Sequence, residues 1–227
     1  MKLKSALLLS SIFLTTVAVN SNTVQAASKS SEELIKEQNK AQDKEEQRIK
    51  EVIKKNHALL YSKNTPFIGN EKGKAIAVVF MDPLCGACRS FHKVLESYLG
   101  EKKNFKILIK EYPIFGEKSE MLVRANLAAM KQGKYEEFSQ AILKTSGEVS
   151  IRQLMGIATA LNMNSDQLHQ DMSSPEMDKA LNETKKLASS ENLNITGTPT
   201  FIVGDVLFVG GVDKSTFETI VEQLTDG

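Results

Sequence analysis

The 227-residue chain has no tryptophan, only two cysteines, three histidines and five prolines, and its charge is almost balanced at +1. Two cysteines cannot make a disulfide-stapled scaffold, so whatever Cys85 and Cys88 do, they do as one pair. Near-neutrality removes the basic field that gathers nucleic acid, which is therefore not an expected partner. Together with His57, His92 and His169 the two cysteines barely suffice for one metal site. With 41% hydrophobic and 25% charged residues, the composition is that of a globular protein and excludes disordered and fibrous classes.

One apolar run stands at the start. Lys2 and Lys4 precede Ala6–Leu9, Ile12–Leu14 and Val17, a stretch broken by Ser10, Ser11, Thr15 and Thr16. It is shorter than the ~20 apolar residues of a membrane span. Val24-Gln25-Ala26 offers small residues at a cleavage site, so residues 1–26 read as a signal peptide cut after Ala26. Losing Lys2 and Lys4 turns the formal charge from +1 to -1. An untethered exported protein is retained only between two membranes, so the expected location is a periplasm, where disulfides persist.

Residues 27–62 carry Lys, Glu and Gln without glycine or proline, the composition of one long helix with Ser30 and Glu33 spaced as a capping box. Ile49, Val52, Ile53, Leu59 and Leu60 make an apolar stripe in its second half; Leu34 and Ala41 extend it sparsely. Either that half docks on the chain's own core, or residues 30–60 pair two copies into a homodimer that buries Leu34, Ile35, Ala41 and Ile49. Pro66, Gly69 and Gly73 mark residues 64–73 as a loop.

The remainder reads as an α/β domain with a helical interruption. Ala75–Met81 is an apolar run suited to a strand buried on both faces, a helix with Phe91, Val94, Leu95, Tyr98 and Leu99 follows, and Phe105–Ile109 is a second strand. Residues 116–193 read as four or five amphipathic helices, with Leu122, Phe138, Ile142, Leu154, Leu168 and Leu181 among their core positions. Thr200–Val203 and Val206–Val209 flank Gly204-Asp205 like a hairpin, and Phe217, Ile220, Val221 and Leu224 belong to a last helix. The expected divisions are 63–115 and 194–227 for the α/β domain and 116–193 for the insertion.

Cys85-Gly86-Ala87-Cys88 falls where the central strand gives way to its helix, with Cys85 at or next to the N-cap. An ordinary thiol, pKa ~8.5, is mostly protonated at neutral pH, whereas helix amides and the helix dipole favour the thiolate. The dipole supplies ~1–2 kcal/mol, about one pKa unit, so a larger effect needs hydrogen bonds to the Cys85 sulfur. One helical turn brings the Cys88 sulfur within bonding reach, so the pair can cycle between dithiol and disulfide. A zinc site lacks further ligands, since His92 alone is near. Haem attachment needs histidine where this chain has Arg89, and a structural disulfide over so small a loop gains little.

Phe80-Met81-Asp82-Pro83-Leu84-Cys85-Gly86-Ala87-Cys88 after a buried strand, followed by a helical insertion and Thr198-Pro199, resembles the thioredoxin superfamily. Tyr112-Pro113-Ile114-Phe115-Gly116 and Gly197-Thr198-Pro199-Thr200-Phe201 narrow the resemblance to its DsbA-like thiol:disulfide oxidoreductases, over roughly residues 59–224. It implies a thioredoxin fold with an inserted helical domain and an N-terminal helical extension. It also implies Cys85 as nucleophile, Cys88 as resolving thiol, and Thr198-Pro199 as a cis-proline loop that faces Cys85 and pairs with substrate backbone. No metal or organic cofactor is required. The implied partners are thiol-bearing unfolded or misfolded exported proteins and a membrane redox partner. The other class of function compatible with the sequence is a chaperone or surface-binding protein that keeps the fold without redox turnover. Two positions depart from the family pattern: the buried acid six residues before the first cysteine is replaced by Val79, and the histidine before the second cysteine by Ala87. Asp82 lies nearer the pair and is expected to cap the helix; the missing histidine implies a less oxidising couple.

Overall fold

The computed structural model describes residues 31–98, 104–145, 147–189 and 191–225. The signal peptide expected over residues 1–26 and Ser30 of the expected capping box lie outside them. The described residues divide into two units between Gln42 and Asp43. In the first, Leu34 and Ile35 on the opening turns of α1 (Ser31–Lys55) are about half exposed.

In the second unit the end of α1 and the short α2 (His57–Leu60) lead to a five-stranded sheet, order β1-β3-β2-β4-β5. The single helix expected over 27–62 is interrupted at Asn56, whose backbone N–H and side-chain amide both donate to the Val52 carbonyl at 3.0 Å. β1 (Phe67–Gly69) corrects the loop expected over 64–73: it pairs antiparallel with β3 (Phe105–Glu111). Its glycine hid it. A Cβ on Gly69 would lie 2.6 Å from the Phe105 carbonyl oxygen, so the residue that looks like a strand breaker is what permits the close approach.

β2 (Ala75–Met81) is central, parallel to β3 and antiparallel to β4 (Thr200–Val203), and the β2–α3–β3 path is the crossover the sequence implied. β5 (Val206–Val209) closes the hairpin around Gly204, whose φ of 61° suits the turn. Because side chains alternate across a strand, β2 presents Ala75, Ala77, Val79 and Met81 to one face and Val78 and Phe80 to the other. The first face packs against Phe91 and Leu95 of α3 (Gly86–Tyr98) and Phe217 and Val221 of α9 (Lys214–Thr225). The second packs against Ile53, Leu60 and the Leu187–Ala188 end of α8 (Pro175–Ala188). The apolar second half of α1 thus docks on its own domain, and Ile49, expected between two chains, packs on this core.

Between β3 and β4 come α4 (Glu117–Lys131), α5 (Tyr135–Lys144), α6 (Ile151–Ala160), α7 (Ser165–Met172) and α8. Leu122, Phe138, Ile142, Leu154 and Leu168 form a core of their own, as an inserted helical domain should. Ser150 caps α6 through a complete capping box with Gln153.

Phe217 is 1% exposed and meets the rings of Phe91, Tyr98 and Phe105 at centroid distances of 5.2–5.8 Å. Phe217→Ala is expected to lower the unfolding free energy by about 3–5 kcal/mol in urea titration, the cost of a large cavity in a packed aromatic cluster. A loss below ~1 kcal/mol would contradict this packing.

Candidate active site

α3 starts at Gly86, so Cys85 occupies the N-cap, and the Arg89 N–H donates to its carbonyl at 3.0 Å to close the first helical turn. Cys85 is 7% and Cys88 0% exposed, and both are free thiols. The pair belongs to the sheet core, while the adjoining Leu84 packs against the core of the insertion. The site therefore sits on the seam between the two.

The Thr198–Pro199 peptide is cis, and the Cys85 thiol donates to the Thr198 carbonyl at 3.1 Å. More than a hundred residues, the insertion among them, separate Cys85 from Thr198 in sequence, yet the structure brings Cys85, Cys88, Thr198 and Pro199 together. The loop is held by the Thr200 hydroxyl on the Gly197 carbonyl at 2.6 Å and the Gly210 N–H on the Pro199 carbonyl at 2.9 Å.

Burial pushes the Cys85 thiol up, but hydrogen bonds from Thr198 and from the backbone of Cys88 and Ala87 outweigh it and leave the thiol below its ordinary value. The buried Thr198 hydroxyl makes no other hydrogen bond, so it is available to a thiolate. Cys88 is pushed up to about 12, by burial first and by the neighbouring Cys85 sulfur. The two thiols are thus divided into an ionisable one at the helix start and a protonated one beneath it.

Three further side chains shape the site; the sequence pointed to Asp82 as a helix cap and to Arg89 only as the residue that excludes haem attachment, and not to Glu111. Asp82 is fully buried and does more than cap: Oδ1 accepts from the Leu84 N–H at 2.7 Å, and Oδ2 accepts from the Ile114 N–H at 2.6 Å and from the Ser119 hydroxyl. Arg89 donates to the carbonyls of Pro83, Leu143 and Thr145 at 2.8–3.1 Å, tying the cysteine turn to the end of α5. Glu111, 3% exposed at the end of β3, accepts from Tyr135 at 2.7 Å and Asn126 at 2.8 Å. A charged residue ending an apolar strand was the available signal for Glu111. The acid position of the family pattern holds Val79, buried in β2, and Ala87 is exposed beside the cysteines. Among the described residues no group of three or more His, Cys, Asp or Glu side chains could hold a metal ion.

A mixed sheet with a thiol pair at the start of the helix after its central strand, facing a cis-proline loop, defines a thioredoxin-fold thiol–disulfide exchange site. The chain belongs to the thioredoxin family, whose profile matches residues 61–223, and within it to the DsbA-like thiol–disulfide oxidoreductases. Among solved structures it is similar to a thioredoxin-like oxidoreductase from Silicibacter pomeroyi, at 32% identity over 75% of this chain and 97% of that one, TM-score 0.67. It is also similar to the thiol-disulfide exchange protein alpha-DsbA2 from Wolbachia pipientis, at 26% identity over 79% and 97%, TM-score 0.71. A periplasmic thioredoxin-like protein from Salmonella enterica serovar Typhimurium shares the fold at 21% identity over 75% and 96%, TM-score 0.66. No curated protein matches the sequence significantly.

At pH 7.5 an alkylating reagent is expected to modify Cys85 roughly a hundredfold or more faster than Cys88, because thiolate fraction and access both favour it. Peptide mapping after brief labelling reads this directly. Equal labelling would contradict the division of the two thiols.

Proposed function

We propose that the chain is an exported thiol:disulfide oxidoreductase that makes or reshuffles disulfides in other exported proteins. The observation that carries this reading is the Cys85 thiol, eased toward ionisation at the N-cap of α3, lying 3.1 Å from the Thr198 carbonyl with the protonated Cys88 thiol behind it. In the oxidising direction a client thiolate attacks the Cys85–Cys88 disulfide at Cys85, releasing Cys88 as the leaving thiolate, which takes up a proton, and forming a mixed disulfide. A second client thiolate then attacks the client sulfur of that bond. Client sulfurs are oxidised to a disulfide and Cys85–Cys88 is reduced to the dithiol. Thr198 and Pro199 serve as the edge against which client backbone is laid.

Export rests on the start of the sequence: a basic opening, a short apolar run and Val24-Gln25-Ala26, with a periplasm as the destination. Each turnover leaves the centre in the wrong redox state for the next, so a membrane redox partner is part of the proposal. Pairing of two copies through residues 30–60 is retained in a narrower form, with Leu34 and Ile35 as its apolar contacts, because Ile49, Ile53 and Leu60 are engaged in the chain's own core.

Reoxidation of reduced ribonuclease, refolding of scrambled ribonuclease and the equilibrium with glutathione separate oxidase, isomerase and inert binding protein. Cys88→Ser is expected to accumulate mixed disulfides and Cys85→Ser to have no activity; turnover in Cys85→Ser would discard the reading.

The reduced protein should also answer to pH with a defined sign. A thiol whose folded value lies below its unfolded value adds stability that is present above the unfolded value and lost as pH falls through the folded one. The melting temperature of the reduced form relative to the oxidised form should therefore rise between pH 5 and pH 9, and a flat difference would contradict thiolate stabilisation at Cys85.

A further inference from the structure

The two edges of the sheet are finished differently. β1 is three residues long, follows Pro66 and ends on Gly69 at a φ of 105°. Its ladder bonds to β3 fall on Pro66 and Asn70, so the Gly69 N–H between them points outward, and it donates to the Glu136 carboxylate of α5 at 3.4 Å. That edge is short, broken and covered, as edges in natural sheets are.

β5 has none of these devices. It reads Val206-Leu207-Phe208-Val209, without proline, glycine or charge, and the acid beside it, Asp205 in the turn, is paired with Lys50 at 3.5 Å. The register fixes which backbone groups are spent. The Gly210 N–H donates to the Pro199 carbonyl at 2.9 Å, and bonding pairs alternate from there along the hairpin. Phe208 and Val206 therefore bond to β4, while the N–H and C=O of Leu207 and Val209 point away from it. Among the described residues these four groups have no hydrogen-bond partner. Val206 and Val209 are 39% and 52% exposed, whereas Leu207 and Phe208 are half-buried on opposite faces and hold the strand in place.

An outward row of this kind pairs with an extended chain of almost any sequence, because main-chain groups supply the hydrogen bonds. Its length decides between occupants. A strand of four residues is far below the ~20–30 residues a side of a stable interface, so it does not hold a free second copy. It does hold a chain that is already tethered, since a short flexible tether supplies an effective concentration on the order of mM. Cys85 provides the tether. Its thiol meets Thr198, and the Pro199–Gly210 bond joins the cis-proline loop to the end of β5. A chain paired outside β5 lies two strand spacings from that loop, ~10 Å, which about three extended residues span.

We propose that the outer edge of β5 is a strand-pairing site for an extended segment of an unfolded client held at Cys85 as a mixed disulfide. The backbone groups of Leu207 and Val209 bond to the client main chain, and the exposed Val206 and Val209 side chains pack against its side chains. Such a site ignores client sequence but requires unpaired backbone. It retains clients that are still unfolded and loses those whose strands have folded away.

The inference rests on Cys85 forming mixed disulfides with clients, and the experiment separates the two. In the mature Cys88→Ser protein, Cys85 is converted to its thionitrobenzoate disulfide, and a peptide with one cysteine and an extended stretch of threonine and valine is added. The peptide thiolate attacks the Cys85 sulfur, thionitrobenzoate leaves with the electron pair as a thiolate, and the peptide–Cys85 disulfide forms. Hydrogen exchange at single amides is then read by NMR. In the free protein and in a Cys85–glutathione adduct the Leu207 and Val209 amides should exchange fast; in the peptide adduct they should slow by about tenfold or more. The same peptide N-methylated along the stretch keeps its thiol and side chains but loses its donors, and should leave both amides fast. Val209→Pro deletes one outward N–H and no ladder bond; in its peptide adduct Leu207 should stay fast while the Phe208 amide remains protected.

Leu207 and Val209 amides that exchange equally fast in the free protein and in the peptide adduct overturn the inference. So does equal slowing by the N-methylated peptide, or protection already present in the free protein that disappears on dilution, since a second copy is then the occupant. An adduct that never forms instead overturns client capture at Cys85.

Discussion

The Asp82 side chain is the contact on which the arrangement of the site depends. It is buried, with its hydrogen bonds divided among three pieces of chain: the turn that opens α3, the segment after β3, and Ser119 on α4. Removing it would leave the Leu84 and Ile114 N–H groups and the buried Ser119 hydroxyl without this acceptor, and for the buried hydroxyl the penalty is about 1–3 kcal/mol. The direction of the cysteine turn and the seat of the insertion are thereby coupled: neither can shift without breaking hydrogen bonds to the same carboxylate. Arg89 makes the same join from the other side by donating to Pro83 and to the end of α5.

That coupling explains how one short turn holds two thiols in opposite states. Cys85 is at the helix N-cap, where N–H groups and the Thr198 side chain can meet a thiolate, and these outweigh its burial. Cys88, three residues on, has turned inward among Phe91, Phe201 and the β2 side chains, where burial dominates. The difference comes from position along the helix, because glycine and alanine between the cysteines bring no side-chain donor.

The central strand, the crossover helix, the helical insertion and the terminal hairpin were legible because each rests on local pattern: an apolar run at β2, helical spacing at Phe91–Tyr98, Gly204-Asp205 between two short apolar strands. β1 was not legible, since Pro66 and Gly69 signal a loop and only the approach of the Phe105 backbone makes glycine a strand residue there. Nor was the break at Asn56, where neither glycine nor proline marks the interruption of the helix. The fate of the α1 stripe was also open, because an amphipathic helix carries no mark of whose core it will cover. Ile53 and Leu60 went to the chain's own sheet.

By itself, the sequence determined an α/β domain with a helical insertion and a thiol pair at a helix start, since these follow from apolar period and from spacing; the proline loop that belongs with the pair was implied by the resemblance of its motifs to the DsbA-like family. Tertiary structure alone decided that the Cys85 thiol donates to the Thr198 carbonyl, that Asp82 joins three segments, and that Glu111 ends β3 inside the protein instead of at its surface. The physical reason is that a carboxyl or a carbonyl takes its chemistry from what surrounds it. Hydrophobic period is written along the chain, whereas burial and hydrogen-bond partners exist only once distant segments have met.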